Sequence, residues 1–392
     1  MQFFESVPFT ITFEIGLCIV ALVLASAVPD AIDSKLDWVR HRLRALAARS
    51  RLSLSICFLY PVIIQWALLP LYNAPQPVLH DEFSHLLVAD TLLHGRLANP
   101  THPLWRHFET MHVIFQPAYA SKYMVGQGAA LAIPQILGLP AYSGVWLSTG
   151  AMSAALFWML QGWLKPVWAL AGCLLILPRV SVFSYWIHSY WGGSVAALGG
   201  ALALGAFARL VQKPARRLGW LMGLGMLLSA NVRPYETAAL GLVLGIGLLV
   251  WIKRGGQYRV VLQPLIVMAL LTIGFAALHN YSVTGDPSKL PYQLNRELYG
   301  TPQSFYWQKA VAAVPSPHAQ IVKNYEWQLE QHQKGQDPRS FASIVRGRLL
   351  ELWLFFAAAL WTPALLFAPW LAAQYRLAFA ALFVVLAAVL LY

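Results

Sequence analysis

The stretch RHRLRALAARSRLSLSICFLYPVIIQWALLPL, residues 40–71, decides how this chain must be read. Arg40, Arg42, Arg44, Arg49 and Arg51 crowd its first half, and from Leu52 to Leu71 no charged residue follows. An α-helix rises about 1.5 Å per residue, so about 20 apolar residues match a hydrocarbon layer about 30 Å thick. Short loops rich in Lys and Arg stay in the cytoplasm. The stretch therefore predicts a helix that leaves the cytoplasm at Leu52 and delivers residues 73 onward to the outer face.

The rest of the chain repeats this pattern. Of 392 residues, 58% are hydrophobic and 11% charged, against about 25% charged in soluble domains. The mean hydropathy is +0.56. Apolar segments recur from end to end, which excludes a soluble domain on a single anchor and predicts an all-α polytopic membrane protein. RLVQKPARR (209–217) and KRGGQYR (253–259) are two further short basic stretches and belong on the cytoplasmic side with 40–51. Crossings are expected at 52–71, 143–161, 166–179, 193–210, 218–232, 235–252, 260–279, 347–370 and 375–392. Ile11 to Val28 reads as a retained helix, because no basic stretch precedes it and Glu14 interrupts it. The total is about ten crossings, with both termini outside. This parity holds only if the segment 124–137, which carries Gly126, Gln127, Gly128, Pro134 and Gln135, dips into the outer leaflet without crossing.

The expected organisation follows. Residues 1–279 form a transmembrane module that contains the outer loop 73–122 and the membrane-adjacent segment. Residues 280–345 form a second outer loop with short helices, and 346–392 are C-terminal transmembrane helices. The net charge of +12 fits basic loops against anionic lipid, and no motif points to nucleic acid. Cys18, Cys57 and Cys173 lie singly in apolar runs and read as small buried side chains.

Polar chemistry gathers on the expected outer face. In HDEFSHLLVADTLLHGRLANP (80–100), Asp81 and His85 stand one helical turn apart, at the mouth of a helix bundle. Asp81 can serve as a general base and Glu82 can position it; equally, the pair can be a solvated helix start. His80, His85, His94, His102, His107 and His112 crowd the same loop without a repeated ligand spacing, so a divalent metal stays open. In FETMHVIFQPAYASKYMVGQG (108–128), Glu109 and His112 have helical i,i+3 spacing. Lys122 there can neutralise a lipid phosphate or snorkel at the interface. FSYWIHSYWGG (183–193) offers His188 and Tyr190 as a sugar-binding wall or as part of an aromatic belt. ANVRPYE (230–236) sets Asn231, Arg233, Tyr235 and Glu236 at a proline-broken helix connection, where Arg233 can pair with Glu236 or hold a phosphate.

With these motifs in this order, the chain resembles the multi-pass GT-C glycosyltransferases that use polyprenyl-phosphate sugars, in particular the protein O-mannosyltransferase and aminoarabinose-transferase-like group in a bacterial branch. The resemblance covers the organisation of about the first 280 residues. It implies a bacterial inner-membrane enzyme with a periplasmic site. Its reaction would be inverting transfer of a sugar from a polyprenyl-phosphate donor to a lipid, glycan or protein acceptor. Asp81 matches the catalytic acidic residue of the first loop, and Lys122 and Arg233 fall where lipid-phosphate contacts are expected. No organic cofactor is implied. Three departures stand out. The outward end at 180–193 carries His188 without an Asp or Glu, the chain has an added first crossing, and no large soluble domain follows the last membrane segments. A lipid or solute transporter and a noncatalytic membrane assembly protein are the alternatives.

Overall fold

The computed structural model describes residues 11–12, 14–20, 23, 29–71, 73–182, 184–300, 305–310 and 315–391, with the side chains of 29–36, 364 and 366 left aside. The fold is an all-α, multi-pass membrane bundle. Its first helices are α1 (Pro29–Ala47), α2 (Ser50–Leu68), α3 (His80–Leu93), α4 (Val125–Ile136), α5 (Tyr142–Trp163) and α6 (Pro166–Leu177). There follow α7 (Gly193–Gln212), α8 (Arg216–Ala230), α9 (Pro234–Lys253) and α10 (Tyr258–Thr284). The chain closes with α11 (Pro291–Tyr299), α12 (Ala319–Gln336), α13 (Pro338–Phe356), α14 (Ala368–Gln374) and α15 (Arg376–Leu391). Proline opens α6, α9, α11 and α13, where its missing N–H costs nothing and its fixed φ favours the first turn. The β-structure among the described residues is a two-stranded antiparallel hairpin, β1 (Val113–Ile114) with β2 (Ala120–Ser121).

Five of the described helices, α2, α5, α7, α9 and α10, are long and apolar enough to cross a membrane. The bent pair α14–α15, with 116° between its halves, would make a sixth. Ten crossings are not reached among the described residues, for three reasons. Helix α6 has 12 residues and α8 has 15, short of the length that spans a bilayer alone. The first expected crossing, 11–28, lies partly outside the described residues. The expected crossing 347–370 is broken after Phe356.

That break has a physical cause. Ala358 sits at φ 43°, and Pro363 and Pro369 remove backbone donors just beyond it. A partly buried ion pair staples the gap: Arg179 Nη1 lies 2.6 Å from Glu14 Oε1. Arg179 donates to the Phe355 carbonyl at 2.9 Å and to the Leu354 carbonyl, which the end of α13 leaves unpaired. Glu14 Oε2 accepts from Ala359 N at 2.9 Å and Leu360 N at 3.1 Å, where the chain restarts.

The spanning helices run in both directions, with the ends of α5 and α7 beside the start of α2, which gives the bundle two chemically different ends. Ser50 Oγ meets Gln161 Oε1 at 3.4 Å, so the start of α2 stands beside the end of α5. Arg209 donates to Trp158 O and Gln212 to Gly162 O, which brings the end of α7 to the same place. Helices α7 and α8 approach closely because each offers a glycine: a Cβ at Gly199 would lie 2.5 Å from Gly225 O, and the reverse contact is equally short. Their turn at 213–215, the 40–51 arginines and the 253–259 stretch thus share one end. The other end carries α3, the hairpin, α4, the 184–192 loop, the α8–α9 corner, α11 and α12. Helix α4 both starts and finishes there. Gly126 N donates to Asn231 O at 2.8 Å at its start, and Gly138, at φ 74°, turns the chain into α5 just past its end.

Candidate active site

Helix α3 begins at His80, and its first turn carries Asp81 and Glu82. Successive helical positions diverge by about 100°, so the two carboxylates part at once. Glu82 turns inward and is buried. Its Oε2 accepts from Val78 N at 2.8 Å and Leu79 N at 2.9 Å; its Oε1 accepts from Tyr190 N at 3.0 Å. Both oxygens are thereby committed to backbone, and Glu82 acts as a brace that ties α3 to the 184–192 loop. Gln127 of α4 holds the other side of the same residue, donating to Tyr190 O at 2.8 Å, and Tyr190 donates its own hydroxyl to Pro75 O at 2.9 Å. We expect Glu82→Gln to lower stability in detergent by about 1–3 kcal/mol for each backbone N–H left without an acceptor. Thermal unfolding measures this, and an unchanged midpoint would remove the bracing role.

Asp81 points the other way, toward the hairpin. Its Oδ1 accepts from the Tyr123 hydroxyl, and its Oδ2 lies 3.5 Å from His112 Nε2. Its side chain is about one quarter exposed (26%), enough to meet a ligand. His112 is held in the left-handed region, φ 67°, a strained conformation for a residue with a β-carbon. Two hydrogen bonds on its carbonyl fix it there, from Ser84 Oγ at 2.7 Å and Lys122 N at 3.1 Å. The expected helical spacing of Glu109 and His112 does not form. The chain there is irregular, and Glu109 faces away: it accepts from the Tyr299 hydroxyl at 3.0 Å and lies 3.6 Å from His318 Nε2. Burial and Glu109 together raise the Tyr299 phenol, so it stays a donor. Glu109 thus clamps the segment between α3 and the hairpin to α11 and α12.

His85 is buried beneath the cluster and does not touch Asp81. Its ring stacks on Tyr123 with centroids 4.3 Å apart, and its Nδ1 has no hydrogen-bond partner. Burial, with Arg233, Lys122 and His112 nearby, pulls its pKa down to about 3. Burial, Lys122 and His80 do the same to His112, also to about 3. Both imidazoles are therefore neutral at physiological pH, and the charge near Asp81 comes from elsewhere. Lys122 places Nζ 4.9 Å from the Tyr123 ring centre. Burial lowers its pKa to about 8; Asp81 opposes the shift, while Arg296 and Arg233 add to it. Lys122 thus feels one carboxylate, Asp81, and two further cations, Arg233 and Arg296. Arg233 stands at the start of α9, half exposed (48%) and 3.9 Å from Glu236. Asn231 is buried beside it with Oδ1 unpartnered, and Tyr235 meets Phe305 edge-on at 5.9 Å.

A cavity of about 240 Å³ opens next to the cluster. His112 and Lys122 form one wall; α11 and α12 supply much of the other, with Arg296, Asn324, Trp327 and Gln328 among its lining. None of that second wall was among the residues expected from sequence. His188 stands elsewhere: its contacts are Val182 O at 3.0 Å and Gln65 Nε2 at 3.5 Å. Among the described residues no group of three or more His, Cys, Asp or Glu side chains stands close enough to hold a metal ion.

No family model matches the chain, and neither the curated proteins nor the solved structures contain a match.

Proposed function

We propose that the protein is an inverting GT-C-type glycosyltransferase that moves a sugar from a polyprenyl-phosphate donor to an envelope acceptor on the outer face of a bacterial inner membrane. The observation that carries this reading is that Lys122, which lines a polar cavity at the end of a membrane bundle, feels the partly exposed Asp81 carboxylate together with Arg233 and Arg296. A surplus of cations in a partly buried cleft fits a phosphate, and a lone carboxylate fits proton removal.

In the proposed step the acceptor hydroxyl attacks the anomeric carbon while the bond from that carbon to the phosphate oxygen breaks. Asp81 takes the hydroxyl proton. The electron pair leaves with the polyprenyl phosphate, whose growing negative charge Lys122 and its neighbouring arginines stabilise. Tyr123 and His112 orient Asp81, and neutral His85 supports the Tyr123 ring from below. A single displacement inverts the anomeric configuration. Helix α4 dips along the outer leaflet in this reading, holding the 184–192 loop and the α8–α9 corner against α3.

Purified protein incubated with a panel of polyprenyl-phosphate sugars and envelope acceptors should give product of inverted configuration. Absence of donor binding, hydrolysis and transfer across the panel would overturn the reading, and flux without chemical conversion in proteoliposomes would replace it with transport. Orientation is tested separately in a cysteine-free background. Impermeant thiol reagents added outside should label His102→Cys and Ser288→Cys but not Lys213→Cys; outside labelling at position 213 would reverse the assignment.

A further inference from the structure

We propose that the cavity beside Asp81 admits a single uncharged or acidic monosaccharide headgroup and rejects a sugar that carries an ammonium group. This rests on the donor reading above and names the class of sugar that the site takes.

The wall contributed by α12 is one face of a helix. Asn324, Trp327, Gln328, Gln331 and His332 follow at i, i+3, i+4, i+7 and i+8, and all five line the cavity. The two carboxylates of that stretch, Glu326 and Glu330, fall off the stripe and are exposed, and Glu330 is 2.6 Å from Lys334. Across the cavity stands Lys122, and Arg296 of α11 joins the lining beside the stripe. No Asp or Glu is present among the described lining residues. The lining therefore offers cations to a phosphate and side-chain amides to hydroxyls but no counter-charge to an amine, and the nearby Asp81 carboxylate lies outside it, engaged by Tyr123 and His112. An ammonium group placed there would face Lys122 and Arg296 in a partly desolvated space, where like charges repel strongly.

The same wall fits a sugar. Side-chain amides both donate and accept, as a ring of hydroxyls requires. Trp327 leaves 60% of its surface exposed beside them. An indole face next to amide groups suits a sugar ring, whose C–H face is apolar and whose rim is polar. At about 240 Å³ the cavity lies below the roughly 300–1,000 Å³ of pockets for drug-sized ligands, so it holds one ring and not a chain.

The test is direct binding and does not depend on turnover. Short, water-soluble isoprenyl-phosphate esters of a neutral hexose, a hexuronic acid and an amino sugar are titrated into the full-length protein in detergent, with sugar-free isoprenyl phosphate as reference. The neutral and acidic esters should bind within about tenfold of each other, and the amino-sugar ester about 10–100-fold more weakly. Trp327→Ala should weaken the neutral ester about tenfold or more and leave the sugar-free phosphate unchanged. Gln328→Glu keeps the side chain's shape and adds the missing counter-charge, so it should recover binding of the amino-sugar ester. Equal or tighter binding of the amino sugar by the unaltered protein overturns the inference, as does failure of all three esters to bind. Selective binding without transfer would leave the inference standing and remove the transferase reading; transfer of an amino sugar would do the opposite.

Discussion

Asp81→Asn should lower the initial transfer rate about 10²–10⁴-fold, the usual scale for losing a general base. The substitution preserves the size of the side chain and leaves an oxygen for the Tyr123 hydroxyl, so helix α3 and the hairpin have no steric reason to move. It removes the only charge that raises the Lys122 pKa among those acting on it. Two consequences separate a base from a helix cap. Donor binding should hold or tighten, because one negative charge leaves a cleft that receives an anion. Lys122 should also lose its proton at a lower pH in the variant, moving the alkaline limb of donor binding downward. Transfer rate, donor affinity and thermal unfolding measured together decide the matter. Near-normal turnover in a folded, donor-bound variant would return Asp81 to the ordinary role of a solvated helix start.

Much of this site was legible in the sequence because charge at the end of an apolar run has few explanations. Asp81, Lys122 and Arg233 each stand out for that reason, and the bundle brings them into one electrostatic neighbourhood. The residues that complete the site were hidden by conformation and distance. Glu109 and His112 carry a helical spacing, yet the chain there turns through a left-handed residue, and the two side chains serve different purposes. Tyr123 looks like one aromatic among many until the hairpin folds it onto Asp81. Glu82 reads like a second catalytic carboxylate, but the three backbone donors that saturate it come from segments as far apart as Val78 and Tyr190. Arg296 and the α12 stripe lie almost 200 residues beyond the first loop. The stripe did leave a trace, since Asn324, Trp327, Gln328 and Gln331 share one helical face while Glu326 and Glu330 share another. The break after Phe356 is the clearest limit of hydropathy. Residues 347–370 are apolar enough to suggest a crossing, and although Pro363 and Pro369 can be read in the sequence, the left-handed Ala358 and the pairing of Glu14 with Arg179, distant in sequence from both sides of the break, cannot.

Lys122→Met should reduce transfer about 10²–10³-fold, the range seen when one donor to a developing anion is removed. Methionine keeps the unbranched stem, and thus the packing against Tyr123, while removing the charge. The unaltered protein provides an independent check through pH. Lys122 in the free protein has a pKa of about 8, pulled down by burial, so below that value the cation is present and above it the site offers a neutral amine. Transfer at low donor concentration should therefore be level on the acid side of about pH 7 with respect to this group, and should fall about tenfold per unit on the alkaline side of about pH 8. A bound phosphate favours the charged amine and raises its pKa, so the limb should move to higher pH when donor is saturating. Lys122→Arg, whose guanidinium stays protonated throughout this range, should abolish the limb in donor binding even if its bulk impairs turnover. The measurement is kcat/KM and donor affinity across about pH 6–10 for the three proteins. A flat profile to the alkaline end in the unaltered protein, or a methionine variant that transfers normally, would show that Lys122 snorkels at the membrane surface and leaves the phosphate to the arginines.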